Sequence, residues 1–116
     1  MPLGWLEYKG QRILHNDLRG IAEDQIIQQL DDMVALLRTQ LGKPHILTNV
    51  ADARMGQRAM AAAKTHAKTF DALAGKQAIV GVDGLKSILL KGYNAVTGGT
   101  LKPFDTELLA KEYLTR

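Results

Sequence analysis

A chain of 116 residues with 46% hydrophobic content can build one core but not two, and its composition is not that of a disordered protein. It has no cysteine, which excludes disulfides, thiolate metal centres and cysteine nucleophiles. The net charge of +3 is uneven, −2 over residues 1–53 and +5 over residues 54–116, so the second half suits an acidic protein surface or an anionic ligand. Too few aromatics lie among those basic residues to make a base-stacking platform, so no nucleic-acid partner is expected. No apolar run approaches the roughly 20 residues of a membrane helix. The opening Met1-Pro-Leu-Gly-Trp5 lacks a basic region followed by an apolar stretch, so a cytoplasmic domain without an integral membrane segment is expected.

Trp5–Lys9 and Arg12–Leu18 read as two strands joined by a turn at Lys9-Gly10. Alternation places Ile13, His15 and Asp17 on one face of the second strand and Leu14, Asn16 and Leu18 on the other. A helix follows, with Ile26, Ile27, Leu30, Met33, Val34, Leu37 and Leu41 on its apolar stripe and Glu23, Asp24, Asp31 and Asp32 on the wet side. Gly42-Lys43-Pro44 stops it. His45–Val50 is a third strand and Ala51–Gly56 a loop. Residues 57 to about 73 form a second helix with Met60, Ala63, Ala67, Phe70 and Ala74 inward. Lys76–Val82 is a fourth strand running into a third helix, with Asp83 as cap, Gly84 at the turn and Leu85, Ile88, Leu89 and Val96 at helical spacing. Gly98-Gly99 turns the chain into a short strand at Leu101–Phe104. A last helix from Asp105 to about Leu114 should pack Leu108, Leu109, Tyr113 and Leu114 inward.

The order β-β-α-β-α-β-α-β-α predicts a single α/β domain over residues 1–116. Its sheet should be mixed, mostly parallel and five-stranded, with the first strand antiparallel and about four helices flanking it.

This order, with Trp5-Leu-Glu-Tyr-Lys-Gly-Gln-Arg-Ile-Leu-His-Asn-Asp17, Ile46-Leu-Thr-Asn-Val-Ala-Asp52, Ala78-Ile-Val-Gly-Val-Asp-Gly-Leu-Lys86 and Phe104-Asp-Thr-Glu107, resembles the sporulation anti-anti-sigma-factor-like branch of the STAS superfamily. The likeness covers nearly the whole chain. It implies a small cytoplasmic bacterial domain that acts by binding proteins, nucleotides or lipids; CRAL-TRIO lipid-binding domains have a related architecture. Regulatory STAS domains carry an Asp-Ser-Ser-Gly-like motif after the third strand, where a serine is phosphorylated. Here the loop reads Asp52-Ala-Arg-Met-Gly56, and the chain's sole serine, Ser87, is in another helix, so no such switch is expected at that place.

Ligands of open α/β sheets sit beyond the carboxyl ends of the strands. A site is therefore expected near Asn16, Asp17, Asn49, Asp52, Asp83 and Gly84. Asp52, Arg54, Gly56 and Arg58 surround the start of the second helix. They read either as an anion site or as a turn with solvated arginines, and Arg54, Arg58, Lys64 and Lys68 should form one solvent-facing cationic ridge. Asp83-Gly84 reads either as a ligand contact or as a plain helix cap. His15 and Asp17 share a face at metal-ligand spacing, but nothing fixes a third ligand, and no metal or other cofactor is called for. Ser87 lacks a nucleophile elbow. The sequence thus points to a non-catalytic binding or regulatory domain for a protein partner or a small apolar or anionic ligand. The alternative is a small enzyme using the cleft near Asp17, Asp52 and Asp83. Trp5, Leu6 and Tyr8 on a strand placed at a sheet edge predict a homodimer.

Overall fold

The turn at Lys9-Gly10 sets the first pairing. Both residues have positive φ (53° and 74°), the backbone twist that a tight antiparallel hairpin needs. In the computed structural model, which describes residues 3–116, that hairpin joins β1 (Leu3–Tyr8) to β2 (Gln11–Asp17). Residues 1 and 2 lie outside the described residues, as does the side chain of Leu85, which the sequence puts on the third helix's apolar stripe. The chain continues through α1 (Glu23–Arg38), β3 (His45–Asn49), α2 (Gln57–Leu73), β4 (Gln77–Val80), α3 (Gly84–Thr97), β5 (Leu101–Phe104) and α4 (Glu107–Leu114).

The five strands make one sheet in the order β1-β2-β3-β4-β5, with β1 antiparallel and the rest parallel. The fold is α/β, with one mixed, mostly parallel sheet and four helices. Each parallel step moves one place in the same direction, and right-handed crossovers then put α1, α2 and α3 on one face. Leu14, Ile46, Ile79 and Leu101 of the sheet meet Ile26, Leu30, Met33, Ala63, Ala67, Phe70 and Leu89 of those helices in the larger core. On the other face Ile13, Leu47, Ala78 and Val80 pack under Ala110 and Leu114 of α4. The alternation read for β2 is the one the strand has. Among the described residues no helix is long and apolar enough to cross a membrane.

Several expectations fail at element ends. Leu41 is fully exposed because α1 stops at Arg38, before the stripe reaches it. Leu108 and Leu109 are exposed, since only Ala110 and Leu114, one turn apart, fit beneath two turns of α4. Within α3, away from any element end, Ile88 faces solvent as well. β4 ends at Val80 rather than Val82. There Gly81 takes φ 88° with its α-carbon pressed on the Ala51 backbone, where a β-carbon would overlap it.

Candidate functional site

Between the sheet and α1–α3 lies a cavity of about 50 Å³. Its walls are mainly apolar, with Leu30, Met33, Met55, Phe70, Ile79 and Leu89 among them. Its floor carries Asn16 of β2, Thr48 of β3 and Gln77 of β4, and Tyr93 reaches it from α3. Strand periodicity puts these polar residues where core residues belong: Asn16 lies between Leu14 and Leu18, and Thr48 between Ile46 and Val50. Buried polar groups normally find partners, and most of these do. Gln29 of α1 donates through Nε2 to Asn16 Oδ1 (2.7 Å) and to the Asp17 carbonyl (3.1 Å). Asn16 Nδ2 makes only a long contact to Thr48 Oγ1, 3.4 Å. The Tyr93 hydroxyl donates to Gln77 Oε1 at 2.8 Å, and burial pushes its pKa well up, so it stays protonated. Gln77 Nε2 is different. It is buried and has no partner among the described residues, although Gln77 itself is only 3% exposed.

On the α4 face the same strand ends carry a closed polar cluster. Glu107 Oε2 lies 2.9 Å from His15 Nε2 and accepts from Asn49 Nδ2 at 2.9 Å. Burial raises the Glu107 carboxyl, but the bonds from Asn49 and His15 outweigh it and hold the group below the ordinary carboxylate range. Asn49 Oδ1 accepts from the Ala51 amide at 3.0 Å. Asp17 is gripped by the Arg19 guanidinium through both oxygens (2.9 and 2.8 Å) and by the Arg19 amide, and the guanidinium keeps its pKa low. Both carboxylates are therefore ionised at neutral pH.

A third place is an open groove where the starts of α1, α2 and α3 meet, lined by Glu23, Arg54, Met55, Gly56, Asp83 and Lys86. Its charges largely answer one another. Glu23 reaches across from α1 to accept from the Ala59 amide (3.0 Å), capping α2, whose own cap residue Gly56 has no side chain. It is half-buried, not on the wet side as its sequence position suggests. Arg58 pairs with Asp24 and lies 3.5 Å from Glu23, so it does not join Arg54, Lys64 and Lys68 in a free cationic ridge. Asp83 makes no side-chain cap bond to α3 and instead faces Lys86 Nζ at 3.4 Å. Asp52 sits exposed in a left-handed turn, φ 56°.

The eight residues read from the sequence are thus divided among the two faces and the helix starts. Asn16 belongs to the cavity, Asp17 and Asn49 to the α4 face, and Arg54, Arg58, Asp83 and Gly84 to the helix starts, with Asp52 standing apart. Gln29, Gln77, Tyr93 and Glu107 are site residues that the sequence reading did not single out. A polar residue at a core-facing position was the available signal for Gln29, which falls at helical spacing with Ile26 and Met33. Among the described residues no cluster of three His, Asp or Glu could hold a metal ion. No known family, curated protein or solved structure matches this chain significantly.

Proposed function

We propose that this chain is a STAS-like, non-catalytic binding domain whose ligand is a small, largely apolar molecule held between the sheet and α1–α3. The observation that carries the reading is the cavity itself, mainly apolar and lined by Gln77, whose buried amide nitrogen has no partner among the described residues. Small-molecule sites have this composition, apolar walls with a few placed polar groups. The carboxylates favour binding over catalysis. Asp17 and Glu107 are held ionised by their partners, the opposite of the raised pKa that a general acid needs, and Asp17, Asp52 and Asp83 do not face one cleft. A cytoplasmic location belongs to the same proposal and rests on the STAS likeness alone.

Native mass spectrometry of the protein purified from its own cells tests the reading. A bound small molecule is expected, and Ala63→Leu, which extends a side chain into the cavity, should remove it. Retention of the same molecule by that variant would put the site elsewhere.

A homodimer is a second proposal, supported by β1. That strand is paired on one side only, and Trp5 lies half-buried under the Arg12 guanidinium, 3.9 Å from the ring centre. Light scattering that gives 12.7 kDa at every concentration would remove it.

A further inference from the structure

We infer that the cavity selects a neutral carbonyl compound over a hydrocarbon or a carboxylate, and that Gln77 makes the selection. The inference rests on the cavity being the ligand site and adds the ligand's chemistry.

The argument is a count of donors and acceptors. Both side-chain amide oxygens on the floor are in use, Asn16 Oδ1 by Gln29 and Gln77 Oε1 by Tyr93. Among the described residues the one floor atom that is buried with no partner at all is a donor, Gln77 Nε2, which carries two N–H groups. A ligand that completes this floor must bring an acceptor. A hydrocarbon of the same shape would leave the nitrogen buried and unpaired, the costly condition for a polar group. A carboxylate supplies the acceptor but brings a charge. Among the described residues no Lys, Arg or His lines the cavity, so that charge would be buried without a counter-ion. A neutral carbonyl meets both conditions.

Size points the same way. The void is about a third of the ~150 Å³ that holds a benzene in an engineered apolar core, so it takes the carbonyl-bearing end of a molecule, and the rest enters only as the walls give way. Met33 and Met55 are flexible walls that can adjust around it. Met55 also lines the open groove at the helix starts, so its side chain stands between the cavity and that groove.

Three probes of equal heavy-atom count test this on the unaltered chain: butanone, 2-methylbut-1-ene and propanoate. Each is titrated while the side-chain amide resonances are followed by ¹⁵N NMR. Butanone should shift the Gln77 side-chain amide and bind about tenfold tighter than the alkene, while propanoate leaves that resonance in place. The double variant Gln77→Leu/Tyr93→Phe removes both polar partners and should bring butanone and the alkene to equal affinity. If that variant does not fold, the ratio measured on the unaltered chain still decides. Alkene binding as tight as butanone, displacement of butanone by propanoate, or a water that stays on the Gln77 nitrogen at saturating butanone would overturn the selection while leaving the cavity as the ligand site. If no probe moves any resonance of the cavity walls, the proposed function falls with it.

Discussion

The two faces of the sheet use the same four parallel strands to different ends. On the α4 face the core is filled by Ile13, Leu47, Ala78, Ala110 and Leu114, and the polar groups beside it, His15, Asn49, Glu107 and Tyr8, each have a partner. On the α1–α3 face the strands carry polar residues at core positions, the packing leaves a void, and Gln77 Nε2 has no partner among the described residues. A void forfeits contacts and an unpaired donor costs more, so that face is built below its attainable stability. Eight residues of helix suffice to close one face, whereas forty-seven residues of helix on the other still leave room. The proposed ligand site would require a face of this kind, since function commonly costs stability.

One substitution made on both faces should break the comparison if it is wrong. Ala110→Leu forces a larger side chain into the filled face and should cost about 2 kcal/mol. Ala63→Leu grows into the cavity and should stay within about 1 kcal/mol of the parent. Urea denaturation of the two variants reads the difference directly, and equal costs would mean that both faces are packed alike.

Polar truncation gives a smaller contrast. Asn49→Leu leaves Glu107 short of a donor and the Ala51 amide without its acceptor, so a loss of about 1–2 kcal/mol is expected. Gln77→Leu/Tyr93→Phe, on the other face, removes an unpaired donor together with its neighbour and should leave stability unchanged or raise it. Thermal unfolding of both variants tests this, and a destabilised double variant would show that the Gln77–Tyr93 pair holds the fold rather than a ligand.

Much of this architecture is legible in the sequence, because alternation and helical spacing report which residues share a face. Leu14, Asn16 and Leu18 fall together on paper as they do in the fold. Spacing does not report where a face ends or what lies opposite. Leu41 continues the α1 stripe past the point where the chain leaves the core, and Leu108 and Leu109 continue that of α4 over a strip too narrow to cover them. Ion pairs between distant elements are similarly hidden. Arg58 meets Asp24 only because the α1 and α2 starts lie side by side, so the cationic ridge read along one helix is partly neutralised by another. Charge reversal at Arg58 therefore acts on the fold as well as on any partner. The cavity is the hardest feature to read, since it is a deficit of packing. Its trace is a set of polar residues at core spacing, and Gln77 does not stand out in a four-residue strand with no alternation.

The smallest effect concerns the far end of the α4 face, where His45 opens β3. Its Nδ1 accepts from the Lys76 amide at 2.8 Å, a bond that only a nitrogen without a proton can accept. Burial, with the Lys76 charge beside it, lowers the His45 pKa below its ordinary value near 6.5. The folded chain then binds fewer protons here than the unfolded one in the window between the lowered pKa and about 6.5. This contribution is therefore complete above about pH 6.5 and is lost as pH falls through that window. In His45→Asn the side-chain oxygen can take over the acceptor role, and asparagine does not titrate. The comparison to make is urea denaturation of parent and variant at pH 7.5 and 5.5. The parent should lose more stability than the variant on acidification, and since His15 and His66 are common to both proteins, the difference belongs to His45. Equal losses would mean that the Lys76 amide bond does not depend on the imidazole's protonation.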